Sequence, residues 1–335
     1  MQKLILVDGN AILHRAFHAM PPFRTPEGEL VNAVYGFSSM LLNLLNIHKP
    51  DYIAVSFDVK GKTFRHEEYK EYKATRKKAP DELYSQVPRI KEVVRAFQIP
   101  IYEIAGFEAD DVLGTLSKQA DARKDIHTFI VTGDMDLTQL VTPTTFLLTP
   151  HKGFAQTKTY DIQAVFEKFG ISPAQVPDMK GLQGDSSDNI KGVKGVGPKT
   201  TLNLLQKYKT LENVYENLHE ITGSTHDKLA NDRDSAFLSK HLATIVTDVP
   251  LTLDLPECKT HEYDQEKVAQ LFEQLGFASL LRKLGTLNSH SNARKQEENE
   301  AQPSLFGHHP NKPFPIEIGH KVQIAFRFGI WNTVA

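Results

Sequence analysis

Nine carboxylates on five short segments are the residues of this chain whose type and spacing could do chemistry: Asp8, Asp58, Glu108, Asp110, Asp111, Asp134, Asp136, Asp185 and Asp188. Each has an ordinary structural use, because acids favour helix starts and shape turns. Three within four residues at Glu108–Asp111, however, crowd more like charge than capping requires. Unless cations counter them, such groups repel one another and titrate above their usual range. Hard oxygen donors in this number suit Mg²⁺ or Mn²⁺, and no Cys/His spacing for zinc is present. Two or more such ions can clamp both oxygens of a phosphodiester displacement and lower the pKa of a bound water.

A second stretch, Gly184–Thr201 (GDSSDNIKGVKGVGPKTT), sets different chemistry beside two of those acids. Asp185 and Asp188 are three apart, so a helical turn would put both carboxylates on one side. Gly192, Gly195 and Gly197 then space a loop whose backbone N–H groups could approach an anion. Pro198 is expected at the first position of a helix whose positive end faces that loop, with Lys194, Lys199 and Thr200 alongside. Glycine turns before helices are common, so the loop needs context. Carboxylates that want a cation beside N–H groups that want a phosphate point to a phosphodiester.

Lys60–Lys78 (KGKTFRHEEYKEYKATRKK) is the basic element. Lys62, Arg65, Lys73 and five further cations alternate there with Phe64, Tyr69 and Tyr72. A solvated charged helix explains many such runs. This one follows the Asp58 segment directly. Its cations could hold phosphates in a salt-dependent way, and its aromatics offer faces to unpaired bases.

Periodicity supplies the frame for these groups. Lys3–Val7, Asp51–Phe57 and His127–Val131 read as buried strands running into Asp8, Asp58 and Asp134, with Asp136 two residues on. Helical spacing marks Tyr35–Asn46, Leu83–Phe97 and Asp110–Ala120 between them, and Pro21–Leu30 reads as a loop. The alternation predicts an α/β fold, a mostly parallel central sheet flanked by helices, with ligands beyond the carboxyl ends of the strands. Three strands ending in aspartate at that edge are hard to ascribe to turn chemistry. After Thr201, the segments Leu211–Leu218, Asp227–Leu242, Glu266–Gly276 and Ala278–Leu284 read as a helical cap around the glycine loop.

The 335 residues, 40% hydrophobic and 24% charged, suit one large or two ordinary globular domains. A lone cysteine, Cys258, excludes an internal disulfide and fits a reducing compartment. The opening MQKLILVDGN reads as a buried strand rather than a signal peptide, and no apolar run is long enough to span a membrane. A formal net charge of -2 leaves any nucleic-acid binding to local basic patches.

Taken together, LILVDGN, NAVYGF, FDVKGKTFRHEEYKEYKATR, EADDVLGTL, TGDMDLTQL, KGLQGDSSDNIKGVKGVGPKT and LSKHLATI resemble the 5′-nuclease domain of bacterial DNA polymerase I, within the flap-endonuclease superfamily. The resemblance runs from Leu4 to about Leu284. It implies a PIN-like core, a basic helical arch and a C-terminal helix–three-turn–helix subdomain. It further implies that the nine acids line a two- or three-metal site and that Tyr35 stacks on the substrate near the cleavage point. Lys62, Arg65 and Lys73 would lie on the arch that passes single-stranded 5′ ends, with Lys62 and Arg65 also serving the reaction. Gly192–Thr200 would grip duplex phosphates, often with a bound K⁺. The implied activity is Mg-dependent 5′-3′ exonuclease and 5′-flap endonuclease action on DNA with flaps, nicks or RNA primers, by a monomer in the bacterial cytoplasm (nucleoid). One departure is that Lys191 and Lys194 stand where the family usually has proline, adding charge and removing stiffness. Two other readings stay open here, a non-catalytic module that binds DNA structures and a ribonuclease of PIN-type fold. The complete acid set counts against the first, the long basic element and glycine loop against the second.

The expected organisation is a nuclease core over 1–175 with its arch at about 60–80, a helical DNA-binding subdomain over 176–287, and a linker and short tail over 288–335. The linker's SNARKQEENEAQ has the composition of a disordered segment. Within it, Gln302-Pro303-Ser304-Leu305-Phe306 resembles the Gln-x-x-Leu-Phe peptides by which bacterial replication proteins dock on the sliding clamp, which makes Gln302, Leu305 and Phe306 the contact candidates. Polymerase I chains continue into further domains, and the sequence does not decide between a free-standing nuclease and part of such a chain.

Overall fold

In the computed structural model, which describes residues 1–151, 156–260 and 263–284, the first apolar run forms β1 (Gln2–Asp8). Five strands join it: β2 (Tyr52–Ser56), β3 (Ile101–Tyr102), β4 (Ile126–Val131), β5 (Thr145–His151) and β6 (Gln156–Tyr160), in the spatial order β3-β2-β1-β4-β5-β6. Every neighbouring pair is parallel except β5 and β6. Because β1, β2 and β4 run the same way, in a register that pairs Asp8 with Ser56 and Val7 with Val131, their carboxyl ends share one edge. The acid that follows each strand is delivered to that edge by topology alone.

Helices α1 (Gly9–Ala19), α2 (Asn32–Asn43), α3 (Phe64–Glu68), α4 (Asp81–Tyr84), α5 (Val87–Ala96) and α6 (Ala109–Asp121) connect the first four strands, and α7 (Ile162–Phe169) follows β6. Strand periodicity sends Ile5 and Val7 to one face, where they pack with Phe37 of α2 and Val94 of α5. Leu4 and Leu6 meet Val112, Leu113 and Leu116 of α6 on the other. The expected Leu83–Phe97 helix is two helices. Pro88 in the first turn of α5 has no N–H to continue the helix before it. The intervening Gln86 is buried and accepts the N–H of Ala33 at 2.8 Å, closing the start of α2.

A third core lies within α8 (Val176–Gln183), α9 (Pro198–Tyr208), α10 (Leu211–Glu216), α11 (Ser224–Asn231) and α12 (Arg233–Ala243), through Val176, Val193, Leu205, Val214, Leu229 and Ala236. Here the expected Asp227–Leu242 helix breaks at Asp232, whose carboxylate is spent on the N–H of Lys194 at 2.7 Å. The expected cap around the glycine loop ends with α12. Beyond it, Leu255 and Cys258 of α13 (Leu255–Cys258) return to the α6 face. Phe272 of α14 (Gln265–Gln274), with Phe277, Leu280 and Leu284, packs among α2 and α5. Those apolar residues complete the first core instead of covering the loop. The linker, the Lys312–Ala335 tail and the Gln302–Phe306 peptide lie outside the described residues.

Candidate metal centre

Asp8, at the end of β1, is used twice. One carboxylate oxygen accepts the N–H of Ala11 at 2.9 Å and so caps α1; the other accepts the Thr132 hydroxyl at 2.7 Å. Asp58, just past β2, accepts the N–H of Ala109 at 2.7 Å and the Asn10 amide. Glu108 and Asp111 close a reciprocal cap at the start of α6. After β4, Asp134 accepts the N–H of Asp136 at 2.8 Å. Asp8, Asp58, Glu108, Asp110, Asp134, Asp136 and Asp188 line one cavity of about 430 Å³, together with Asn10, His14, Tyr72, Lys73 and Arg76.

These acids differ in how their charge is balanced. Burial pushes Asp8 up to about 6, reinforced by Asp58 and Asp134. Burial likewise raises Asp110 well above the carboxylate range, with Asp8, Asp134 and Glu108 adding repulsion. Asp136 reaches about 6 through burial and Asp134, although Lys180 opposes the rise. Glu108 goes the other way. Burial would raise it, but Lys73 at 2.9 Å and Arg65 at 3.6 Å bring it below its ordinary value. Asp188 pairs with Arg76 at 2.6 Å, and the Tyr72 hydroxyl donates to Glu108 at 3.1 Å and Asp188 at 3.2 Å.

The donor set fits a hard divalent cation: seven carboxylates line one cavity, and three of them, Asp8, Asp110 and Asp136, hold protons more tightly than free acids, through burial first and the repulsion of neighbouring acids second. Among the described residues no three such donors already converge as an ion cage.

Two expected ligands stand outside the cavity lining. Asp111 is fully buried, with both oxygens on the Arg65 guanidinium at 2.7 Å, and it also accepts the N–H groups of Glu108 at 3.1 Å and Val246 at 2.9 Å. Arg65 also donates to the carbonyls of Leu242 at 2.9 Å and Thr244 at 3.0 Å. Arg65 is thereby a tie between α3, α6 and the end of α12, and it also lines the cavity, its guanidinium 3.6 Å from Glu108. Asp185 is the second. It lies in no helix but opens a tight turn, closed by paired backbone bonds with Ile190 at 2.8 and 2.7 Å. Its carboxylate takes Ser187 and Lys180, while Asp188 faces Arg76, so the two acids diverge.

The basic segment holds one short helix, α3, followed by turns pinned to the acidic loop. The N–H of Lys73 donates to the Asp188 carbonyl at 2.9 Å, and the Asn189 amide to the Glu71 carbonyl at 2.7 Å. Tyr72 is buried against Ile190 and Leu242, so it offers no face to a base. Lys62 is exposed and outside the cavity lining. Tyr35 is also outside it. Its ring is held edge-on by Phe23 and Phe277, and its hydroxyl meets Ser279 at 2.7 Å.

In the glycine loop, Gly192 (φ +61°) comes so close to Gly184 that a Cβ would lie 2.2 Å from its nitrogen. Its N–H is taken by the Ser239 hydroxyl at 2.9 Å and that of Lys194 by Asp232, so neither is directed at an external anion. Gly195 and Gly197 have none of these internal acceptors and sit, with Lys199 and Thr200, at the start of α9. Pro198 occupies the first turn as expected. Lys180, Tyr72, Arg76 and Thr132 carry the site's internal connections and were not among the expected site residues. Lys180 had a signal, a cation inside a short helix five residues before Asp185.

Residues 3–170 match the family profile for the 5′-3′ exonuclease N-terminal resolvase-like domain, and residues 171–266 that for the 5′-3′ exonuclease C-terminal SAM fold. The chain belongs to the 5′-3′ exonuclease family. It is 45% identical over 285 residues to DNA polymerase I of Caldicellulosiruptor bescii and 43% identical over 285 to that of Bacillus subtilis. These alignments cover 84% and 85% of this chain but 33% and 32% of the relatives, so the chain spans about a third of their length. The fold resembles T5 5′-exonuclease with bound zinc, at TM-score 0.63 and 19% identity, covering 86% of this chain and 99% of that one. It also resembles the catalytic core of Rad2 in complex with DNA substrate, at TM-score 0.52 and 16% identity, covering 85% and 93%.

Proposed function

We propose that this chain hydrolyses phosphodiester bonds of DNA as a divalent-metal-dependent 5′-3′ exonuclease and 5′-flap endonuclease, acting at flaps, nicks and RNA-primed junctions. One observation carries the reading: seven acids from five segments face one cavity whose wall also holds Lys73 and Arg76, in a chain of this family. Mg²⁺ or Mn²⁺, two or more ions, suits these donors, and when bound supplies an activated water and Lewis-acid stabilisation of phosphate charge. Asp8, Asp58 and Asp134, at or just past the strand ends, and Asp110 in the first turn of α6, provide carboxylate oxygens for such ions. Lys73 and Arg76 bring positive charge to the same cavity, where a phosphate would exchange for Glu108 and Asp188 as their partner.

The rest of the reading follows the same division. A core over 1–175, to which α13, α14 and the chain up to Leu284 return, cuts, the helices α8–α12 hold duplex phosphates at Gly195–Thr200, and 288–335 links and trails; the profile boundary at 170 and 171 supports the first division. A K⁺ ion at the glycine loop would meet Lys228, whose ammonium already reaches the Gly195 carbonyl at 3.1 Å. The chain acts as a monomer in the cytoplasm, and Gln302, Leu305 and Phe306 dock on the sliding clamp. Among the described residues no helix is long and apolar enough to cross a membrane. The test is cleavage of a 5′-labelled flap DNA with Mg²⁺ and with EDTA. Mg²⁺-dependent release of a short product near the junction is expected; binding without cleavage in Mg²⁺ would replace the enzyme with a DNA-binding module.

A further inference from the structure

The buried cations on the acids are of two kinds. Arg65 is locked, since its planar guanidinium meets Asp111 with two parallel bonds and two carbonyls take two more of its N–H groups. Lys180 is a point charge on a flexible stem. Its ammonium lies 2.6 Å from Asp136 and also on Asp185, and so joins the cavity wall to the acidic turn behind it. The other oxygen of Asp185 is fully used by Ser187, through its N–H at 2.7 Å and hydroxyl at 2.6 Å. The backbone that carries Lys180 cannot drift, because α8 is pressed on α12; a Cβ on Gly181 would lie 3.0 Å from the Ala236 carbonyl. Only the side chain is free to leave.

We propose that Lys180 is a resident cation that stands between Asp136 and Asp185 in place of a divalent ion, so that an ion reaches this pair only by displacing the ammonium. This rests on the metal-dependent reading above. It makes Lys180 a positioning residue with two consequences. The metal-free site keeps Asp136 and Asp185 together because one ammonium bridges them and offsets part of their charge. The ion at this pair is the weaker one, because it competes with a charge already there, whereas Asp8, Asp58, Asp110 and Asp134 have no Lys or Arg partner among the described residues.

The test is a Mn²⁺ titration of the full chain, followed by calorimetry and by the electron paramagnetic resonance signal of free Mn²⁺, at one pH. The wild-type chain is expected to bind a stronger and a weaker class of ion. Lys180→Met removes the competitor and should tighten the weaker class by roughly tenfold to a hundredfold while leaving the stronger class in place. Lys180→Arg keeps the charge and should not tighten it. If Lys180→Met is unfolded without metal, the Mn²⁺ midpoint for recovery of its circular dichroism reads the same affinity. A weaker class unchanged or loosened in Lys180→Met overturns the inference. Absence of any Mn²⁺ binding by the wild-type chain overturns the metal reading instead.

Discussion

Asp110 and Asp111 are neighbours at the start of one helix, and the structure puts them in opposite environments. Asp110 lines the cavity, repelled by Asp8, Asp134 and Glu108 and drawn toward Lys73, with no ion pair among the described residues. Asp111 points away, 0% exposed, with every polar contact satisfied by Arg65 and two backbone N–H groups. The same contrast divides the whole acid set. Asp8, Asp58, Asp110 and Asp134 form an open group whose charge is unbalanced within the protein. Asp111, Asp136, Asp185, Glu108 and Asp188 are each paired with lysine or arginine. Asp8 is buried and Asp110 and Asp134 are half-buried, and unpaired charge held away from water costs stability unless something from outside balances it; Asp58, the fourth, is exposed. The paired acids hold the frame, Asp136 and Asp185 admitting an ion only in exchange for Lys180, and the open ones wait for cations.

The largest effect should come from breaking a pair. Arg65→Met leaves the Asp111 carboxylate buried without its partner, and about 3–5 kcal/mol of unfolding free energy should be lost. Urea denaturation in EDTA reads it. A variant as stable as the parent would make the Arg65–Asp111 contact incidental and return Arg65 to the list of DNA contacts.

The open group should respond to metal. Mg²⁺ at about a hundred times its Kd is expected to add about 2.7 kcal/mol to stability, seen as a raised melting temperature. The pH dependence follows from Asp8 and Asp136, both raised to about 6 in the folded state. Folded carboxyls that bind protons more tightly than unfolded ones stabilise the metal-free chain fully below about pH 4, and that contribution is lost as pH rises through about 6. Mg²⁺ meets ionised acids above that window and protonated ones within it. The metal-induced shift should therefore be larger at pH 7.5 than at pH 5, and an equal shift at both would mean that these acids are not ligands.

Much of this centre was legible before any coordinates. Strand periodicity put an acid after each of three strands, and parallel topology then left little choice but to gather Asp8, Asp58 and Asp134 at one edge. What sequence spacing could not supply was partner choice. Arg65 and Asp111 are 46 residues apart, and nothing local says that this arginine of the basic run is the buried one. Asp185 and Asp188 misled for a different reason. Helical spacing put them on one side, but Gly184 and Gly192 approach each other too closely for side chains and close a turn there, which sends the two carboxylates to different cations. β3, with two residues, and β6, a polar edge strand, had too little apolar patterning to register. The helix α1 was hidden because Asp8 ends the strand and caps the helix in the same residue.

One small shift tests the division of the acids most directly, the melting temperature of Asp110→Asn in EDTA. The substitution keeps shape and removes one charge from a group that repels itself, and a change of even one pKa unit corresponds to about 1.4 kcal/mol. The account predicts that the metal-free variant melts roughly 2–4 °C above the wild-type chain, with the metal-induced gain reduced. A lower melting temperature in EDTA would mean that Asp110, like Asp111, is a structural acid, and the open group as described here would not exist.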